Sequence, residues 1–171
     1  MSGQLAPTGQ QAVMNRASGK ASVVVSATAP TWIPGMSWVD TSATATLKKW
    51  NGSSWVADDG SRYLALLFAD PTSATNISDL QEITDAGYAR QAVTFTAATA
   101  ADPTSSGNDA VVTFGPFTSA MTQAAGWLAL VDVSAGNSGQ LIYVWTADLA
   151  QQVSASQSIQ IAVGMLTMNL S

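Results

Sequence analysis

The chain is 171 residues long, enough for one good-sized domain, an appendage and a real core. Only 10% of its residues are charged, Glu82 is its single glutamate, and it has neither cysteine nor histidine. This excludes disulfides, thiolate nucleophiles, Cys/His zinc sites and every triad that needs imidazole. The net charge of −5 is unevenly spread: residues 1–39 carry only Arg16 and Lys20, whereas residues 57–171 set ten acids against Arg62 and Arg90. A body so acidic repels phosphate backbones, which argues against nucleic acid as a partner.

Ala, Ser, Thr, Gly, Val and Gln fill the space left by charge, and this mix of small and β-branched residues favours sheet over long helix. No apolar run approaches the roughly 20 residues of a membrane span. The opening MSGQLAPTGQQAVMNRASGK lacks the apolar stretch of a signal peptide. The sequence therefore predicts a soluble protein with no membrane partner, not exported by that route.

Residues 1–21 have no sustained periodicity and read as an arm that is disordered by itself. Ser22 to Ser26 is the first strand candidate, and Val23, Val24 and Val25 are placed to add a strand to a partner's sheet edge. Ala29-Pro30-Thr31 leads into the stretch from Trp32 to Val56, which holds four of the six tryptophans: Trp32, Trp38, Trp50 and Trp55. Pro34-Gly35 marks a turn. Asn51-Gly52 predicts a two-residue type I′ hairpin turn in a ribbon from about Thr46 to Val56. The unit has too few aliphatics for its own core, so its indoles must pack on one another, on the main domain or on a partner.

From Ser61 the pattern changes. Arg62 to Phe68 is a near-continuous apolar run, consistent with a strand buried on both faces. Residues 77–83 suit a short helical turn capped by Ser78. Gly87 to Phe95 reads as a strand pair or bent strand, Thr96 to Asp109 as an exposed loop, and Val111 to Phe114 as a strand ended by Gly115-Pro116. Trp127 to Val133 and Leu141 to Trp145 form a hairpin across Ser134–Gln140. Ile159 to Val163 and Leu166 to Leu170 alternate. About eight short strands with no long helix point to a β-sandwich. The expected core is Leu64, Leu66, Val93, Phe95, Leu130, Val131, Ile142, Val144, Ile161 and Leu166. The fold class is thus all-β: a sandwich at 61–171, preceded by an extended arm at 1–28 and a small Trp-rich hairpin connector at 29–60.

Signatures of chemistry are scarce. Phosphate-binding glycine loops and zinc-protease motifs are absent. Asp58-Asp59 reads as a solvated turn, and Asp79 with Glu82 as the acidic start of a helical turn. Asp102 to Asp109 only loosely offers the alternating acids of a calcium loop. Arg62 and Arg90 are expected to pair with aspartates. Trp38, Trp50 and Trp55 are the one set of residues suited to a sugar-stacking platform. No catalytic residue, metal site or cofactor is expected, and the chain is not read as an enzyme.

The segment P-T-W-I-P-G-M-S-W-V-D-T…L-K-K-W-N-G-S-S-W-V at 30–56 resembles a Trp-rich module of tailed-phage virion proteins. There a Pro-rich lead, a Gly-x-x-Trp-x-Asp-Thr core and a W-N-G-x-x-W hairpin precede a variable domain. R-Y-L-A-L-L-F-A-D-P-T at 62–72, G-Y-A-R-Q-A-V-T-F at 87–95 and the ending I-Q-I-A-V-G-M-L-T-M-N-L are similar to small β-rich tail-fibre, minor tail and capsid decoration proteins. The resemblance implies a virion structural protein, made in the host cytoplasm and carried on the particle surface. The preferred expectation is a capsid decoration protein whose arm and Trp unit grip the major capsid protein. The alternative is a minor tail or tail-fibre protein, with tail proteins as partners and a sandwich that meets the host surface through carbohydrate. A homo-oligomer is expected, and a trimer is compatible with both. Val23, Val24, Val25, Trp32, Trp38, Trp50 and Trp55 are the expected partner-binding residues.

Overall fold

The structure, a computed structural model, describes residues 2–5, 23–33, 36–51, 53–98 and 104–170. Its strands are β1 (Ser2–Leu5), β2 (Val23–Ser26), β3 (Ser37–Asp40), β4 (Thr46–Trp50), β5 (Trp55–Ala57), β6 (Tyr63–Leu67), β7 (Gln91–Ala92), β8 (Thr104–Gly107), β9 (Val112–Phe114), β10 (Ala125–Val131), β11 (Leu141–Gln151), β12 (Ile159–Ile161) and β13 (Thr167–Leu170). A single 3-10 turn, Ile77–Asp79, is the one helical element among the described residues, and no helix there is long and apolar enough to cross a membrane. The fold is all-β.

A five-stranded sheet in the order β1-β11-β10-β6-β7 forms the centre of the body. Side chains alternate across it, so each face builds a separate core. Leu64, Leu66, Leu128, Leu130, Tyr143 and Trp145 pack on one face against Val112 and Phe114 of β9, Ile159 and Ile161 of β12, and Leu166. Ala65, Leu67, Ala129, Val131 and Val144 point the other way and are covered by Ala74, Ile77 and Leu80 from the 3-10 segment. The apolar run 63–67 is indeed buried on both faces. The two-stranded ribbons β9–β12 and β8–β13 supply the opposing layer of a sandwich on the first face. Eight of the ten expected core residues are buried, and Phe95 and Ile142 are half-buried against the same cluster.

Strand β11 departs from regular alternation twice. Leu130 faces Tyr143 but Val131 faces Leu141, so a bulge at Ile142 turns Ile142 and Tyr143 to the same core. Trp127 faces Thr146 while Ala125 faces Gln151, so residues 147–150 swing away from β10. The outer half of β11 is consequently exposed, Leu149 to 73%.

Three local readings change. The segment 104–109 is not an exposed loop: β8 pairs with β13, and Asn108 is buried. The Asn108 carboxamide donates to the carbonyls of Ala110 (2.8 Å) and Ala162 (3.0 Å) and accepts from the Leu166 amide (2.9 Å). Such saturation is what permits a buried amide. The helical turn begins at Asn76, not Ser78, and the Asp79 carboxylate accepts the amides of Thr75 (2.9 Å) and Asn76 (3.0 Å). Those bonds hold its pKa below the usual value. In the Trp ribbon, Trp50 pairs with Trp55, which makes the connection the four residues 51–54 instead of a two-residue turn. The Asn51 side-chain oxygen accepts the amides of Ser53 (3.0 Å) and Ser54 (2.8 Å), building the turn from its own carboxamide. Gly52, Pro34-Gly35 and Asp102 lie outside the described residues.

One part-buried polar network, centred on Arg90, Glu82 and Tyr88, lies beside the first core, on which Tyr88 packs. Arg90 donates to both oxygens of Glu82, at 3.0 and 2.7 Å, and to the carbonyls of Gly136 (2.9 Å) and Val133 (3.3 Å). The Tyr88 hydroxyl donates to Glu82 at 2.5 Å and accepts the Leu66 amide at 3.0 Å. Burial, followed by the bond to Glu82, raises the Tyr88 pKa well above its ordinary 10. A raised pKa means the folded state keeps this proton when the unfolded chain has lost it. The associated stability is present below about pH 10 and is lost as pH rises further. Melting temperatures taken from about pH 8 to about pH 11 should fall at the alkaline end, and Tyr88→Phe should flatten that fall while lowering the plateau. An unchanged alkaline slope in Tyr88→Phe would refute the assignment.

Candidate interaction surface at the tryptophan module

The four-stranded sheet β2-β3-β4-β5 contains all seven residues singled out from the sequence or lies directly against them. β2 runs parallel to β3 with Val24 opposite Trp38, and β3–β4 and β4–β5 are antiparallel, with Trp38 opposite Lys48 and Trp50 opposite Trp55. In-register neighbours share a face, so Val24, Trp38, Trp50 and Trp55 lie on one side. There the indoles pack on one another. Trp32 stacks on Trp50 at 5.6 Å, Trp50 meets Trp55 edge-on at 5.8 Å, and Trp55 meets Trp38 edge-on at 5.7 Å. These are the offset and T-shaped geometries that ring quadrupoles favour. Two indole N–H groups are spent on backbone, Trp38 on the Ser26 carbonyl (2.8 Å) and Trp55 on the Pro30 carbonyl (2.9 Å). Lys48 pairs with Asp40 at 3.8 Å on the same face. Hydrogen bonds from Ser42, with a smaller pull from Lys48, hold Asp40 below the ordinary carboxylate range.

The opposite face is aliphatic. Val25, Val39 and Leu47 form one row across three strands, and Val23, Ser37, Lys49 and Val56 form the next. Val23 is 52%, Val25 67% and Leu47 45% exposed. Val23 to Ser26 pairs with β3 of its own chain and has no strand on its other edge among the described residues, so the expected strand addition to a partner would use that edge. Ser2–Leu5, for which the sequence offers no surface of its own, lies antiparallel on β11 of the same chain. Backbone pairing with an available sheet edge suffices there, without a second chain. The remaining arm, 6–22, lies outside the described residues.

Among the described residues, the module is fastened to the body at a joint beside the end of β10. Lys49 reaches Asp132 at the end of β10, donating to its carbonyl at 2.9 Å and facing its carboxylate at 3.5 Å. Gln140 donates from its side chain to the Trp50 carbonyl and from its amide to Asp132 at 2.7 Å. A cleft of about 330 Å³ beside this joint is lined by Lys49, Asp59, Tyr63 and Asp132. The Ser61 amide and hydroxyl hold the Asp59 pKa down, with Lys49 contributing less. A second cleft, of about 360 Å³, opens where β11 swings outward and has Leu66, Leu128, Ile159 and Ile161 as its floor.

The carboxylates have structural duties. Asp58 accepts the Gly60 amide and faces Arg62 at 3.6 Å, Asp59 accepts the Ser61 amide, and Asp109 accepts the Thr94 hydroxyl. Arg90 pairs with Glu82 and not with an aspartate. Among the described residues no group of three or more acids could hold a metal ion. Lys49, Asp132 and Gln140 were not singled out from the sequence. They lie 83 and 90 residues from their partners along the chain, and no local pattern links them.

No curated protein and no solved structure matches the chain. The family model of the podophage GP4 fiber I protein gp80 matches residues 37–169, from the start of β3 into β13. The match takes in β3–β5 of the tryptophan module, the joint and nearly all of the body. The chain accordingly belongs to the podophage GP4 fiber I protein gp80 family and is a phage virion structural protein of fibre type.

Proposed function

We propose that the chain is a non-enzymatic tail-fibre protein, carried on the virion surface with other tail proteins as partners. The observation that carries this reading is the family match over 37–169, whose family is described as a fibre protein. The sequence resemblance is shared by head and tail proteins, so capsid decoration through the major capsid protein loses its preference. The tryptophan module is the attachment element in this reading, and the sandwich is the part turned to the host surface. The absence of histidine and cysteine and the structural employment of the carboxylates favour a role without catalysis. Gold-labelled antibody against the sandwich, applied to intact particles, should decorate the tail fibres. Label spread over the head would overturn the proposal in favour of capsid decoration.

A further inference from the structure

We propose that residues 132–140, between β10 and β11, act as a latch clamped from two sides. The tryptophan module grips the loop at its ends, and the Glu82–Arg90 pair of the body grips it in the middle. The seating of the module and the integrity of that pair are therefore coupled. Such a latch serves the chain wherever in the virion the module attaches.

The two grips meet on one short loop. Lys49 donates to the Asp132 carbonyl at 2.9 Å and faces its carboxylate at 3.5 Å, and the Gln140 side chain donates to the Trp50 carbonyl. The Gln140 amide draws the loop's ends together by donating to the Asp132 carboxylate at 2.7 Å. From the other side Arg90 donates to the carbonyls of Val133 at 3.3 Å and Gly136 at 2.9 Å. Arg90 is itself held by Glu82, which accepts the Tyr88 hydroxyl, and that hydroxyl accepts the Leu66 amide. An unbroken series of hydrogen bonds thus runs from β6 through Tyr88, Glu82, Arg90 and the loop to β4 of the module.

Little else fixes the loop. Residues 134–138 are exposed, so burial does not set its shape there. Gly136 has a φ of +72°, a left-handed conformation open to glycine and strained for other residues. The loop's course is accordingly decided by the two sets of bonds that hold it. A shift that breaks one set displaces the carbonyls or the carboxylate that serve the other. Coupling of this kind is reciprocal: what loosens Arg90 loosens the module, and what loosens the module loosens Arg90.

Proteolysis of the folded full-length chain tests this. Residues 58–62 connect module and body, so their cleavage rate reads how often the module comes away. Arg90→Met should raise that rate at least about tenfold, the factor that 1.4 kcal/mol represents, although the hydrogen bonds of Arg90 reach only Glu82 and the loop. Gly136→Ala removes no charge and has open space for its Cβ, yet the strained φ should raise the rate in the same direction. Phe114→Leu, in the first core, weakens the body without touching the loop. Compared at equal global stability, it should be cut more slowly than Arg90→Met. Lys49→Met should also raise the rate, and Lys49→Met with Arg90→Met should fall short of the product of the single effects, because either alone frees the loop. Wild-type rates in both Arg90→Met and Gly136→Ala overturn the proposal. So does equal cleavage of Phe114→Leu at matched stability, which would mean that cutting follows opening of the whole body. A double variant that equals the product of the singles overturns it too, since the two grips would then be independent.

Discussion

Replacing Arg90 by methionine should cost about 3–5 kcal/mol of unfolding free energy, the range found when one partner of a buried ion pair is removed. Arg90 is only 9% exposed and holds Glu82 through three hydrogen bonds, with two loop carbonyls on its other side. Methionine fills similar volume but donates nothing. Glu82 keeps the Tyr88 hydroxyl but loses its counter-charge, and the carbonyls of Val133 and Gly136 lose a donor. Those carbonyls belong to the β10–β11 loop, which also carries Asp132 and Gln140 to the tryptophan module. The loss should therefore loosen the joint as well as the body. Urea titrations of Arg90→Met, Glu82→Leu and the double variant measure it. The double variant should be less destabilised than the sum of the singles, because no unpaired charge is left behind. Additive losses would mean that the pair contributes nothing as a pair.

The body of the fold was legible where burial follows local periodicity. Arg62 to Phe68 announced a strand covered on both faces because β6 has apolar residues at every inward position of either side. The crowd of tryptophans between 32 and 55 announced mutual packing, since so little aliphatic surface surrounds them. What was not legible depends on partners far away in sequence. β8 is Thr-Ser-Ser-Gly and carries no apolar signal. It is a strand because Met168 and its neighbours offer a matching edge, and because Asn108 finds three backbone partners that only the finished fold assembles. The turn after Trp50 is longer than the Asn-Gly pair predicts, because the Asn51 carboxamide gathers the turn's amides and does not serve only as a residue tolerant of positive φ.

The candidate surface divides in the same way. The seven residues named from sequence do converge on one module, yet its four indoles turn to one another and to backbone carbonyls. The aliphatic face that remains open involves Val39 and Leu47, which alternate unobtrusively with the more conspicuous tryptophan and lysines. Only the register of three strands places them beside Val25.

Asp132→Ala should cost about 3–5 kcal/mol and should separate the tryptophan module from the body before the body itself unfolds. Asp132 is 5% exposed, and its carboxylate accepts the Gln140 amide at 2.7 Å while facing Lys49 at 3.5 Å. Alanine leaves a nearly buried ammonium without its counter-charge and an amide without its acceptor. Gly139 shows how closely this corner is fitted: a Cβ there would sit 2.5 Å from the Asp132 carboxylate oxygen and 2.7 Å from Val133. Loss of the joint exposes the connection at 58–62, where the side chains of Asp58, Asp59 and Arg62 make local contacts and the backbone is tied at its two ends, by the Asp58 amide to the Leu47 carbonyl (2.8 Å) and by the Arg62 carbonyl to the Val93 amide (2.9 Å). Limited proteolysis should then cut between module and sandwich, and the released sandwich should keep its β-type circular dichroism. If the module transmits attachment, virions carrying Asp132→Ala should hold less of the chain than wild type, even at temperatures where the sandwich stays folded. A variant that resists cleavage at 58–62 and melts in one step with the body would mean that the joint and the core are a single cooperative unit. In that case Lys49 and Asp132 would belong to the sandwich's own stability and not to a separable connection.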